Sequence, residues 1–230
     1  RKIKKKIIMK ITEKAQLFID QEERYGAHNY HPLPVVLSRG MGCYVWDVDN
    51  KKYYDFLSAY SAVNQGHCHP KIVEALTMQA ETLCLTSRAF YNDSLGPYEE
   101  FMHNYFGYDK LLPMNTGAEA VETALKLTRK WGYLKKGIPA NEAIIIACES
   151  NFHGRTITIV SLSTDENARA DYGPYTPGIE IIPYNSIEAL KTILEEKSDK
   201  IAGFLVEPIQ GEAGVFVPDE GYLKQAYDLC

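Results

Sequence analysis

The stretch Ala143-Ile144-Ile145-Ile146-Ala147-Cys148, followed at once by Glu149-Ser150-Asn151-Phe152-His153-Gly154-Arg155-Thr156, decides the fold. Six apolar residues without polar alternation are what a strand buried on both faces requires, and such strands belong to parallel sheets covered by helices. A loop leaving that strand lies at the carboxyl edge of the sheet, where open α/β folds collect their ligands. Within it Phe152 offers a face to a flat ring, and Arg155 offers a two-pronged fork to a carboxylate. The plain alternative makes Phe152 a core residue and Arg155 a surface ion-pair partner.

The pattern repeats outward from this strand. Upstream, Leu111 to Met114 reads as a short strand and Gly117 to Tyr133 as a helix, with Val121, Ala124, Leu125, Thr128 and Trp131 on one face. Downstream, Thr156 to Leu162 and Ile179 to Ile182 read as strands, Ile187 to Glu195 as a helix and Ala202 to Val206 as another buried strand. Helix-forming residues resume at Gly221. Strand and helix in alternation specify an α/β domain with a mostly parallel sheet.

The first seventy residues follow another rule. Ile11, Ala15, Phe18 and Ile19 recur at helical spacing up to Glu23, and the turn-rich run Tyr25 to Pro32 then breaks the helix. Val35 to Leu37, Tyr44 to Val48 and Tyr53 to Leu57 read as a small antiparallel meander around Gly40, Gly42 and Asn50. After the turn Gly66-His67-Cys68-His69-Pro70 a helix is expected from Lys71 to Leu83. The organisation read from this is a lead-in over 1–10, disordered or foreign to the protein, an α+β segment over 11–70, and a large domain over 71–230. The chain contains no internal repeat and no low-complexity tract.

Composition narrows the function. With 45% hydrophobic residues over 230 positions the chain can bury a sizeable core. A net charge of -5, with lysines scattered among acids, provides no basic stripe for a phosphate backbone, so nucleic acid is not an expected partner. No apolar run is long enough to span a bilayer. Five cysteines without a CxxC pair suit a reducing compartment and free thiols, and the cytoplasm is the default location, with an organelle matrix as the alternative if a presequence has been removed.

Two further constellations carry chemistry, and two others do not. In Met114-Asn115-Thr116-Gly117-Ala118-Glu119 a strand passes into a helix through a tight turn with Thr116 and Glu119 at capping-box spacing. Gly117 and Ala118 keep the first turn bare, so their N–H groups at the positive helix end suit a phosphate; a well-capped helix without a ligand explains the same residues. Val206-Glu207-Pro208-Ile209-Gln210-Gly211-Glu212 places one acid at the end of a buried strand and a second in a glycine-bearing loop. His67-Cys68-His69 lacks a second ligand pair, so no metal site is expected. Arg39-Gly40-Met41-Gly42 is a hairpin turn, without the helix and downstream acid of a dinucleotide fingerprint.

Taken together, NTGAEA at 115–120, NFHGRT at 151–156 and VEPIQGEAG at 206–214 resemble the class III, fold-type-I aminotransferases, in that family's order. Within the family, GAHNYHPLP at 26–34 and SAYSAVNQGH at 58–67 are similar to the ornithine-specific branch, in contrast to the acetylornithine and 4-aminobutyrate branches. The resemblance runs from Tyr25 to Cys230 and corresponds to the N-terminal portion of such enzymes. It implies pyridoxal 5'-phosphate as cofactor and a large domain built on a seven-stranded, mostly parallel sheet, incomplete within these residues, preceded by a small α+β segment.

Carried over residue by residue, the resemblance implies that Gly117 and Ala118 hold the cofactor phosphate, Phe152 stacks on its ring and Glu207 joins the hydrogen bonds around it. Tyr30 and Tyr60 would place L-ornithine so that its δ-amine reacts, and Arg155 would pair with its α-carboxylate. Glu212 would cover an arginine from outside the chain and release it for 2-oxoglutarate. The reaction implied is a ping-pong transfer giving glutamate 5-semialdehyde and glutamate, carried out by a homodimer or higher assembly on small-molecule substrates. The cofactor-bearing lysine and the aspartate facing the pyridine nitrogen are expected beyond Cys230. No catalytic residue is therefore expected within the chain, and these residues alone are expected to be inactive.

Overall fold

The structure, a computed structural model, describes residues 11–230; the lead-in expected over 1–10 lies outside the described residues. The chain forms two compact units that divide between Tyr98 and Glu99, downstream of the 70/71 boundary expected from sequence. The helix after residue 70 buries none of its residues, and the parallel sheet begins only at Ile144.

In the first unit, α1 (Glu13–Tyr25) starts at Thr12, whose hydroxyl accepts the Ala15 N–H at 3.1 Å. Strands β1 (Leu37–Met41), β2 (Tyr44–Asp47) and β3 (Lys52–Tyr54) form an antiparallel meander. The Asp47 carboxylate closes its second turn, accepting the N–H groups of Asp49 and Lys51 at 3.0 and 2.9 Å and the Tyr53 hydroxyl at 2.7 Å. The tyrosine hydroxyl is the main reason its pKa lies below the usual carboxylate value.

A loop over 55–67 leads to α2 (Pro70–Thr82), which has proline in its first turn. In that loop Ser58, Ala59, Tyr60 and Ser61 take φ values of 49, 47, 56 and 72° in succession. Left-handed backbone costs a non-glycine residue about 1–2 kcal/mol, so four in a row must be held by their surroundings. Helix α3 (Leu95–Phe106), which contains Gly96-Pro97, was not expected. The proline falls in its first turn, where no intrahelical partner awaits an N–H.

The second unit is built on three parallel strands in the order β5-β4-β6: β4 (Ile144–Cys148), β5 (Ile179–Ile182) and β6 (Ile201–Leu205). The central strand is β4, as its continuous apolar run requires. Its side chains alternate between two cores. Ile145 and Ala147 pack with Leu125 of α4 (Gly117–Trp131) and with Leu162. Ile146 and Cys148 pack with Ile182, Ile201, Leu190 of α7 (Ile187–Lys197) and Ala226 of α8 (Tyr222–Leu229). Helix α4 lies so close to the sheet that a Cβ on Gly203 would come within 2.7 Å of Thr128 Cγ2.

Two expected strands are absent. Leu111 to Met114 joins no sheet, because Pro113 removes a ladder donor in its middle. Thr156 to Leu162 begins instead with the helical turn α5 (Ile157–Val160). Gly154 at φ +129° redirects the chain there, and Ile159 and Leu162, three apart, are buried together, so packing overrides the β-branched composition. The helix expected to end at Tyr133 passes at Gly132 into a π turn that stops at Gly137 in the left-handed conformation. The short helix α6 (Glu166–Arg169) was also unexpected. Among the described residues no helix is long and apolar enough to cross a membrane.

Leu190 is fully enclosed by the second core, at 0% exposure. Leu190→Ala should destabilise the protein by about 2–5 kcal/mol, whereas Lys191→Ala on the exposed face should change stability by less than about 0.5 kcal/mol. Urea unfolding followed by circular dichroism measures both.

Candidate functional site

The carboxyl ends of β4 and β6 deliver two of the three motifs to one place in the second unit, and α4 brings the third. Its start is fixed by a reciprocal capping box. Thr116 Oγ1 accepts the Glu119 N–H at 3.1 Å, and Glu119 Oε2 accepts those of Asn115 and Thr116 at 2.9 and 3.2 Å. The box leaves the N–H groups of Gly117 and Ala118 at the positive end of a fifteen-residue helix. A Cβ built on Gly117 meets nothing within 4 Å, so the approach to these donors is open.

The loop after β4 packs against this helix start. A Cβ on Gly154 would lie 3.1 Å from the Ala118 methyl, and its φ of +129° is itself foreign to side chains. The Thr156 hydroxyl donates to the Glu122 carboxylate one turn along α4. At the loop's other end Asn151, 9% exposed, donates to the carbonyls of Cys148 and Leu162, both at 2.7 Å. Phe152, pinned on both sides, keeps 42% of its surface exposed, and the Arg155 guanidinium carbon lies 5.7 Å from the centre of its ring.

The third motif closes the group. Glu207 Oε2 accepts the Phe152 N–H at 3.1 Å, joining the ends of β6 and β4. Burial pushes the Glu207 carboxyl above its ordinary value, the N–H groups of Phe152 and Gly211 oppose the shift, and the nearby Glu212 charge adds to it. Tyr184 donates to the carbonyls of Glu207 and Pro208, both at 3.2 Å, and the buried Gln210 amide donates to Glu149 O at 2.7 Å. Burial pushes the His153 pKa below its ordinary value, and its Nε2 is enclosed without a hydrogen-bond partner.

Of the residues singled out in the sequence, Gly117, Ala118, Phe152, Arg155, Glu207 and Glu212 thus belong to one region. Tyr30 and Tyr60 lie in loops of the first unit, at 53% and 69% exposure. Gly154, Asn151, Tyr184 and Gln210 were missed as positioning residues. Gly154, Asn151 and Gln210 lie within motifs already noted, but nothing in the sequence marks Tyr184.

This arrangement can hold a phosphate on backbone N–H groups, cover a flat ring with Phe152 and meet a carboxylate with Arg155. The pattern of the class-III aminotransferases matches residues 25–230. An ornithine aminotransferase of Schizosaccharomyces pombe is 59% identical over 217 residues, covering 91% of this chain and 50% of that protein. A mitochondrial ornithine aminotransferase of Drosophila melanogaster is also 59% identical, covering 94% and 50%. The crystal structure of the ornithine aminotransferase from Toxoplasma gondii superposes with a TM-score of 0.91 at 50% identity, over 94% of this chain and 51% of that one. A structure described as acetylornithine aminotransferase from Elizabethkingia anophelis gives 0.80 at 59% identity, over 94% and 50%. The chain spans about half the length of the curated relatives it matches.

The raised Glu207 pKa fixes the sign of a pH effect. The folded state binds the proton more tightly than the unfolded one, so stability from this group is present below the ordinary value of 4.5 and is lost as pH climbs through the raised one. Glu207→Gln keeps an acceptor for Phe152 and removes the titration. The urea midpoint of the wild type, relative to that of the variant, should therefore fall as pH rises above 4.5.

Proposed function

The chain belongs to the class-III aminotransferase family, and from that premise we propose that the protein transfers the δ-amino group of L-ornithine to 2-oxoglutarate with pyridoxal 5'-phosphate as cofactor. The observation that carries the reading is the convergence of three motifs in the second unit, with Gly154 against Ala118 and the Phe152 N–H on Glu207. The residues fit the cofactor. The open Gly117 cradle suits a phosphate, the exposed Phe152 face suits a pyridine ring, and the acid held beside them suits a polar ring substituent.

When bound, the cofactor supplies an aldehyde that takes up the amino group and a ring that draws off the negative charge developing on the substrate carbon. The chain's own residues bind and orient. The Gly117 and Ala118 N–H groups hold the phosphate without needing to ionise, and the α4 dipole favours its charge. Phe152 keeps water from one face of the ring. Arg155 receives the α-carboxylate of ornithine, while Tyr30 and Tyr60 favour the pose that presents the δ-amine. Glu212 covers an arginine from outside the chain while ornithine is bound and uncovers it for 2-oxoglutarate, so one site serves both substrates. We further propose a homodimer. The cytoplasm suits its free thiols, with the mitochondrial matrix as the alternative, since some relatives carry that location in their names.

A second reading is acetylornithine as amino donor, favoured by the 59% identity to the Elizabethkingia anophelis structure. The visible spectrum of the full-length gene product with pyridoxal phosphate separates the two. Bleaching of its yellow absorbance by L-ornithine, at least about tenfold more efficiently than by N-acetylornithine or 4-aminobutyrate, is the expected result; the reverse order would overturn the ornithine reading. A tenfold preference corresponds to about 1.4 kcal/mol of differential transition-state binding.

A further inference from the structure

Gly66-His67-Cys68-His69 finds no use in the chemistry above, and among the described residues no group of three or more His, Cys, Asp or Glu side chains could hold a metal ion. His67 instead makes a 2.7 Å contact from Nε2 to Asp55 Oδ2. The other Asp55 oxygen accepts the N–H groups of Leu57 at 3.0 Å and Ser58 at 2.8 Å. Ser58 is the first of the four left-handed residues, and Tyr60 is the third.

The loop is pinned at both ends to one hairpin turn. Asp55 N donates to Cys43 O at 2.9 Å, and His67 exchanges two backbone hydrogen bonds with Gly42, at 2.8 and 2.9 Å. The imidazole lies against the hairpin so closely that a Cβ on Gly40 would fall 2.6 Å from its Cγ. Inside the loop Val63 N donates to Ser58 O at 3.0 Å, and Tyr60 N to Leu57 O at 2.9 Å. Segments 55–67 therefore form a closed loop with neighbouring ends and a side-chain staple across its mouth. Strained backbone of this kind persists only where its surroundings over-determine it. Beyond these backbone bonds, the side-chain fasteners are the Asp55 carboxylate on the first turn and His67 holding that carboxylate.

We propose that Asp55 and His67 are positioning residues for amino-donor recognition: the pair locks the left-handed turn 58–61 and thereby fixes where the Tyr60 side chain is presented. The inference rests on the reading of Tyr60 as an ornithine-binding residue. Gly40 is then part of the same device, as the surface against which the imidazole is set, and Gly42 holds the His67 backbone. The pair touches no reacting atom; it acts through Tyr60.

A double-mutant cycle on the full-length gene product tests this, with KM for L-ornithine, KM for 2-oxoglutarate and the melting temperature measured for each variant. Tyr60→Ala and His67→Ala should each raise KM for ornithine about tenfold, with KM for 2-oxoglutarate within about twofold of wild type. In the Tyr60→Ala background His67→Ala should add less than about twofold, because the residue it positions is gone. Independent multiplication of the two effects, or an equal rise in both KM values, overturns the proposal. If Tyr60→Ala leaves KM for ornithine unchanged, the reading of Tyr60 fails, and the inference fails with it. Should His67→Ala not fold, Asp55→Asn keeps an oxygen for the two backbone donors and weakens only the link to His67. It should then show the same selective rise, about threefold, and no rise overturns the proposal.

Discussion

Everything in the second unit depends on the burial of β4 between two parallel neighbours. A strand covered on both faces must place consecutive side chains in opposite cores, and the run Ile144 to Cys148 does so without a polar residue. Because β5 and β6 run parallel to it, the loops leaving all three strands emerge at one edge. The Phe152 N–H can reach the Glu207 carboxylate because register brings Ala147 and Leu205 to the same level. The site is thus a consequence of strand direction before it is a consequence of any single functional side chain.

The sheet alone leaves the helix end uncommitted. The capping box fixes where α4 begins, and Gly154 fixes how near the next loop comes. These constraints act on one another. A side chain at 154 would push against Ala118, while an uncapped Thr116 would leave the first turn of α4 free to fray. Glu119 takes up the donors of residues 115 and 116, which leaves those of Gly117 and Ala118 for an anion. The positive helix end is in this way divided between an internal carboxylate and a ligand.

How much of this could be read from sequence depends on the range of the force involved. Strands β4 and β6 were legible because burial leaves an apolar run, and α4 was legible because capping is local. Leu111 to Met114 and Thr156 to Leu162 were misread as strands because strand formation needs partners, and composition says nothing about partners. The site motifs were visible as strings, yet their mutual contacts were not: that Gly154 meets Ala118, or that Tyr184 holds the carbonyl of Glu207, follows from register and packing. His67 was noticed for its neighbours in sequence, and its partner Asp55 lies twelve residues away across a loop.

The turns at 154 and at 58–61 solve one physical problem in different ways. A loop that must hold an unusual backbone shape can use glycine, which adopts left-handed or otherwise forbidden angles at little cost but adds freedom in the unfolded chain. It can also use ordinary residues held by external bonds. The loop after β4 takes the first course at Gly154; the loop over 55–67 takes the second, with Ser58, Ala59, Tyr60 and Ser61 all left-handed and the Asp55 carboxylate on the backbone beside them. The second course is the costlier one, yet it alone allows a large side chain at the apex of such a turn. Glycine at position 60 would relieve the strain and abolish the aromatic ring. A turn that must be left-handed and must also carry a tyrosine therefore needs a fastener outside itself, and Asp55 with His67 supplies one.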